Sequence, residues 1–294
     1  MSKFFHRYAF KIMMLVSRRY TLSSFFVQKN NYVPIMTFFC CFVSFIMTTK
    51  NKISAEQRLL NRIAPFKKTA WFPVVEKKTS SVLASKFSGI PLLAENETWP
   101  KCGSCHQEMQ LFVQLNACEL PKEAQQAFGG GILQVFYCTN FEQTDKNSEC
   151  DAYFPFANSA LLRILDPANI VAKTLNASPV IDAFEEKVIV GWQATDDYPD
   201  SEELEELGIE LSNAESELLY EQGYPKIGDK LLGWPAWIQG IEYPDCPDCG
   251  DRMTLIFQLD SEDNVDYMFG DGGIAHVTQC AKHPDKLAIA WACC

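Results

Sequence analysis

Four cysteines recur twice in this chain at almost the same spacing, which ties any fold to an internal repeat. The first set is Cys102-x2-Cys105-x32-Cys138-x11-Cys150 and the second is Cys246-x2-Cys249-x30-Cys280-x12-Cys293. Sliding the sequence by 144 positions superposes the leading Cys pairs. It also lays Gly89 on Gly233, Pro91 on Pro235, Pro100 on Pro244, Met109 on Met253, Leu111 on Leu255, Gln114 on Gln258 and Leu115 on Leu259. These make nine identities over 27 positions, where composition alone gives about two. After small length changes the match resumes at Gly131-Ile132 with Gly273-Ile274, and at Val135 with Val277. One unit is therefore present twice, over about residues 87–155 and 231–294.

Within each copy the pattern favours strands. Met109–Leu115 (MQLFVQL) and Met253–Leu259 (MTLIFQL) are short apolar runs bounded by turn-prone sequence. Gly129-Gly130-Gly131 and Gly270-Asp271-Gly272-Gly273 are tight-turn signals feeding Ile132–Cys138 and Ile274–Cys280. Between the copies, Asp182–Trp192 holds a strand-like VIVGW. Ser201–Tyr220 reads as one acidic amphipathic helix with Ser201 as N-cap, and Ser54–Ile63 as an opening helix. The fold class this predicts is α+β, with internally duplicated, mostly antiparallel β-sheet units and flanking helices, arranged as two sheets.

Thiolates are soft ligands that suit Zn²⁺, and a two-residue spacer lets one tight turn offer two sulfurs to adjacent corners of a tetrahedron. In Cys246-Pro247-Asp248-Cys249-Gly250, Pro247 presets φ and Gly250 can take φ > 0 where the chain turns away. The spacing predicts two structural zinc ribbons, with Cys102, Cys105, Cys138 and Cys150 in one and Cys246, Cys249, Cys280 and Cys293 in the other. Cys294 and His283, three residues after Cys280, compete for the last place. Disulfides and merely buried thiols are the plainer readings, but stable disulfides are rare in reducing compartments. Four sulfurs leave no open position for a catalytic water.

The 294 residues are 47% hydrophobic and 13% aromatic, enough to bury a sizeable core and to exclude disorder over most of the chain. The net charge of −11 is unevenly placed. Residues 1–55 carry eight Lys or Arg and no carboxylate, whereas Asp196 to Glu221 holds eleven Asp or Glu and no Lys or Arg. This balance argues against nucleic acid as a partner, since neutralising phosphates takes a basic surplus. The acidic stretch reads as a solvated face, or as a recognition surface for a basic protein. Val33–Met47 (VPIMTFFCCFVSFIM) is too short for a spanning helix, and no small-residue cleavage site follows it. Residues 1–46 read as sequence upstream of a natural start at Met36 or Met47, as a membrane anchor, or as a soluble extension. A cytoplasmic location is expected, with a membrane as partner only if 1–46 is a real anchor.

Few other residues suggest chemistry. Cys105 beside His106 makes a poor nucleophile and base, because neighbours on a strand point to opposite faces. His276 aligns with Gln134 and is expected to be polar and surface-directed, and Asp271 is most simply a turn former. A hydrolase or small-molecule-binding enzyme using His276 and Asp271 is the alternative to a binding role. Gln114 and Gln258, polar within apolar runs, are expected to bridge neighbouring backbone. Trp234, Trp237 and Gln239 open the second copy and, with Asp271, are the candidate partner-binding residues.

The motifs Phe87-Ser88-Gly89-Ile90-Pro91, Trp99-Pro100, Leu111–Leu115 and Gly131–Tyr137 resemble the YwqG-like family of bacterial proteins of unknown function. Lys226-Ile227-Gly228, Gly233–Gln239, Gln258-Leu259-Asp260 and Gly270–Ala275 look like that family's C-terminal part. The resemblance covers about residues 54–294. A more distant similarity runs to programmed cell death protein 2 and its yeast ribosome-assembly relatives, which share the duplicated unit. Those relatives are dedicated chaperones of a ribosomal protein, and bacterial members are thought to be binding modules, some of them immunity proteins. The resemblance thus implies a non-enzymatic protein-binding module whose partner is another protein or peptide segment. It carries over no catalytic residue.

Overall fold

The computed structural model describes residues 54–140, Cys150 and 153–294. Among the described residues ten strands form one sheet in the order β10-β9-β8-β7-β1-β6-β2-β3-β4-β5. The longest, β1 (Lys68–Lys77) and β6 (Lys187–Asp197), pair antiparallel at the centre. Copy 1 adds β2 (Lys86–Phe87), β3 (Gln110–Asn116), β4 (Ile132–Tyr137) and β5 (Ala160–Leu165) beside β6. Copy 2 adds β7 (Lys230–Leu232), β8 (Thr254–Asp260), β9 (Ile274–Gln279) and β10 (Leu287–Ala292) beside β1. The described fold lies within a compact unit, Ile53–Cys294.

The repeat extends to the register. Lys86 faces Gln114 and Lys230 faces Gln258. Gln114 faces Gln134, Gln258 faces His276, and the pairing slips once in each copy, between Leu111 and Val113 and between Leu255 and Phe257. Because side chains alternate across a strand, equal registers put equivalent residues on equivalent faces. One face from both copies forms a common core that includes Val113, Leu115, Val135, Phe257, Leu259 and Val277. Phe112, Tyr137, Tyr267 and Phe269 meet in it with ring centroids 5.0–6.1 Å apart. The sheet curls until its edges approach, where the Trp291 N–H donates to the Tyr153 carbonyl.

Two expectations need correction. The copies do not build two sheets, because each begins with a strand of two or three residues that pairs with an outer edge of the β1–β6 ribbon. The acidic segment is two helices rather than one, following the opening helix α1 (Ala55–Ile63): α2 (Ser201–Glu206) and α3 (Asn213–Glu221). Asp200, not Ser201, caps α2 by accepting from the Glu203 N–H. Gly208, at φ +84°, then turns the chain, and Ser212 with Glu215 forms a capping box that starts α3. Leu59 and Ile63 of α1 pack with Leu204 and Leu219 into a small core beneath the three helices.

Among the described residues no helix is long and apolar enough to cross a membrane. Residues 33–47 and the start positions Met36 and Met47 lie outside the described residues.

Candidate metal centres

On the outer face of each copy a covering loop ends in a hairpin, and the CxxC turn is its tip. In copy 1 the Cys102 N–H donates to Gln107 O and the Met109 N–H to Pro100 O; in copy 2 Cys246 donates to Asp251 O and Met253 to Pro244 O. Each tip is carried against the end of the strand that delivers the next ligand, Cys138 after β4 and Cys280 after β9. The result is two groups of four, Cys102, Cys105, Cys138 and Cys150, and Cys246, Cys249, Cys280 and His283, with ligand atoms all within 4.8 Å of one another.

The distances suit a tetrahedral ion. Zn–S bonds of about 2.3 Å give S···S edges of about 3.8 Å and S···N edges of about 3.6 Å. The Sγ···Sγ distances are 3.9 Å for Cys102–Cys150, 3.6 Å for Cys105–Cys138 and 3.7 Å for Cys249–Cys280. His283 Nδ1 lies 3.5 Å from Cys246 Sγ and 3.7 Å from Cys280 Sγ. The seven cysteines among these ligands are unoxidised, at separations far beyond the roughly 2 Å of a disulfide. Backbone N–H groups of Ser104 and Cys105 point at Cys102 Sγ, and that of His283 points at Cys280 Sγ, where it favours thiolate.

Without a cation Cys105, Cys138 and Cys150 of copy 1 do not ionise alike. Burial, reinforced by neighbouring sulfurs, pushes Cys138 far up and Cys150 to about 12. Cys105 is also pushed up by burial, but hydrogen bonds from the Gln107 backbone, Asn140 and its sulfur neighbours outweigh that and bring it to about 7. A divalent ion removes the conflict by compensating the charge of every thiolate at once. Both groups therefore fit a bound metal ion, and with all four corners supplied by protein they fit a structural one.

Seven of the eight expected ligands come together. Cys293 does not: it lies beside Gly270, and its carbonyl accepts from Gln239 Nε2. His283 takes its corner, because a three-residue step from Cys280 stays in one turn whereas β10 carries Cys293 away from the site. Cys118 and Cys294 are exposed.

The expected partner-binding residues are scattered in character. Trp234 is buried; its Nε1–H donates to Phe66 O, and Lys68 Nζ sits 3.3 Å from its ring centroid. Trp237 is half-buried, donating to Glu203 Oε2 at 3.3 Å, while Gln239 and Asp271 are exposed. His276 is not surface-directed. It is 6% exposed and packs tilted against Trp237 with ring centroids 4.5 Å apart, and its Nε2 has no partner among the described residues. Burial, then the charge of Lys230, holds it neutral down to about 3. Gln114 and Gln258 bridge backbone as expected: Gln114 accepts from Leu92 N–H and donates to Val82 and Ala84 carbonyls, and Gln258 accepts from Ala236 N–H and donates to Gly228 O.

Sequence reasoning missed two buried lysines, Lys86 and Lys230, that sit at the same place in the two copies. Lys86 Nζ reaches Glu186 Oε1 at 3.4 Å, and Lys230 Nζ reaches Asp197 Oδ2 at 2.9 Å. Glu186 stands just before β6 and Asp197 ends it, so the two ends of one strand face the two buried lysines. The signal was present, since Lys86 and Lys230 are identical under the 144-residue shift.

These features define an internally duplicated α+β protein whose mostly antiparallel sheet carries two cysteine-rich groups able to hold a metal ion. A family model described as "Domain of unknown function (DUF1963)" matches residues 85–281, and the chain belongs to this family, the YwqG-like family its motifs resemble. A 48-residue stretch is 38% identical to "Uncharacterized protein YpfL" of Salmonella typhimurium strain LT2. That match takes in 16% of this chain and 11% of the YpfL protein.

Proposed function

We propose that the chain is a non-enzymatic protein-binding module stapled by two structural zinc ions, and that it holds an extended segment of a partner protein in a chaperone-like way. The observation that carries the zinc reading is the pair of four-ligand groups with edges of tetrahedral length. Their all-protein coordination favours a structural ion over a catalytic one.

The binding reading draws support from the two outer edges of the sheet. β5 and β10 each have one strand neighbour in the ten-strand order, and of the backbone groups facing the seam between them the Trp291 N–H is given to the Tyr153 carbonyl. An extended peptide satisfies such an edge by strand addition. Tyr153, Phe154 and Phe156 are exposed just before β5, and Tyr153 packs edge-on against Trp291 of β10. Exposed aromatics beside this seam offer side-chain anchoring to whatever pairs there. This moves the expected binding place from Trp234, which is buried, to the β5–β10 seam.

The test is a photo-crosslinking residue at Phe154 in the full chain, expressed in its native cells. A crosslink to a polypeptide that is lost on replacing Phe156 and Tyr153 by Asp supports the reading. A folded, zinc-loaded protein that forms no such crosslink overturns it.

A further inference from the structure

We infer that the metal ion of copy 2, and not that of copy 1, holds the acidic helix α2 in place. The inference rests on the metal-binding reading above and adds a consequence specific to one of the two sites.

A six-residue helix cannot sustain itself in water. Besides Leu204, which enters the small core beneath the helices, and Trp237, which donates to Glu203, α2 is fastened by the hairpin that carries the Cys246–Cys249 turn. Tyr243, on the first leg, donates its hydroxyl to Glu203 Oε1 at 2.5 Å. Arg252, on the second leg, donates to Glu206 Oε2 at 2.8 Å and lies 5.1 Å from the Tyr243 ring centroid. Trp237 donates to the other Glu203 oxygen and packs on Tyr243 at 4.8 Å. Glu203 is only 4% exposed, so its carboxylate depends on these donors.

The hairpin is in turn fastened by its tip. Its own backbone bonds close the turn, and two solvent-facing pairs, Lys282–Asp251 at 2.6 Å and Lys286–Asp248 at 3.2 Å, tie it to the segment after β9, but the buried link is the ligand group that brings Cys246 and Cys249 to Cys280 and His283. Removing the cation takes away the common partner of four crowded ligand atoms and leaves the tip held only by its solvent-facing ion pairs. Tyr243 and Arg252 then lose their fixed positions relative to Glu203 and Glu206. The arrangement of Glu202, Glu205 and Glu206, which with Ile241 line an open cleft of about 420 Å³, follows copy 2 loading.

Copy 1 lacks the link, although its hairpin is built alike. Trp99 stands where copy 2 has Tyr243, and its Nε1–H donates within its own hairpin, to Met109 O at 2.8 Å. Lys101 and Glu108, in place of Asp245 and Arg252, pair with each other at 3.0 Å. The copy 1 tip contacts the approach to β5 through Gly103 N–H and Asn158 O.

Hydrogen exchange of the full chain, read by mass spectrometry over residues 200–208 alongside metal content, tests this. Cys249→Ser should lower the metal content by one equivalent and speed exchange of α2 about tenfold or more. Cys105→Ser should also remove one equivalent but leave α2 protected. Should Cys249→Ser fail to fold, Arg252→Ala in the two-metal protein should loosen α2 with both ions retained. Unchanged α2 exchange after loss of the copy 2 ion, unchanged exchange in Arg252→Ala, or equal loosening from either site overturns the inference while leaving metal binding intact. A chain that binds no metal overturns both.

Discussion

Lys230 Nζ lies 2.9 Å from Asp197 Oδ2, and neither side chain has any exposed surface. The ammonium also donates to the carbonyls of Lys226 and Trp234. Asp197 accepts from the N–H groups of Tyr198, Lys226 and Trp234. A buried pair repays its desolvation only when every donor and acceptor is used in this way. The pair welds the end of β6 to the start of copy 2, as Lys86 and Glu186 weld the other end to copy 1.

Lys230→Met should therefore destabilise the protein by about 3–5 kcal/mol, because it strands a buried carboxylate. Lys86→Met should be milder, about 1–3 kcal/mol, since Glu186 is 17% exposed and water can serve it. Urea denaturation of the two variants beside the wild type checks the order.

Gly233 has φ +81°, and a Cβ there would overlap Asp197 Oδ2 and press on Ala70. Gly89 is its counterpart at φ +79°, with Glu186 in the way. Each glycine leaves room for a carboxylate at one end of β6 to reach a lysine. Gly233→Ala should cost about 3 kcal/mol or more, combining left-handed strain with a clash against a fixed group. Thermal unfolding measures it, and Gly129→Ala, where a Cβ meets none of the described residues within 4 Å, controls for strain alone.

His276 should make the protein acid-sensitive. Its pKa is about 3 in the fold against 6.5 when free, so between these values the unfolded chain binds a proton that the folded chain refuses. Stability from this residue is intact above pH 6.5 and falls as pH drops toward about 3. Between about pH 7 and pH 4 the wild type should lose about 3 kcal/mol more than His276→Gln, which places the copy 1 residue type there. Equal losses would show that the imidazole ionises freely in the fold.

Metal analysis of the purified chain should give two equivalents of zinc. Cobalt substitution should show two thiolate-to-metal absorption sets, one for four sulfurs and one for three sulfurs with a nitrogen. His283→Ala should remove the second set and Cys293→Ala neither, which separates the two candidates for the last corner.

Much of the candidate site was legible in the order of the residues. The CxxC turns, Cys138 and Cys280 are local or strand-borne features, and the 144-residue shift placed them in equivalent settings. Gln114 and Gln258 were legible for a related reason, since a polar residue within an apolar run must find partners. The identity of the fourth ligand was not. Cys293 matched by spacing, but spacing along a chain is blind to β10, which carries that residue away, whereas His283 stays in the turn next to Cys280. The break in the acidic segment was written in Gly208 and in the Ser212–Glu215 cap, but the helical spacing of its leucines hid it.

By itself the sequence determined the duplication, the strand pattern of each copy and seven of the eight clustered ligands, because repeated residues under the same local rules fold alike. Tertiary structure alone decided that the copies share one sheet and one core. It also decided that the two ends of β6 face the two buried lysines, and that of the two hairpins it is the copy 2 one that contacts the acidic helix. Those relations join residues far apart in the chain, and packing in three dimensions is what brings their charges and donors within reach.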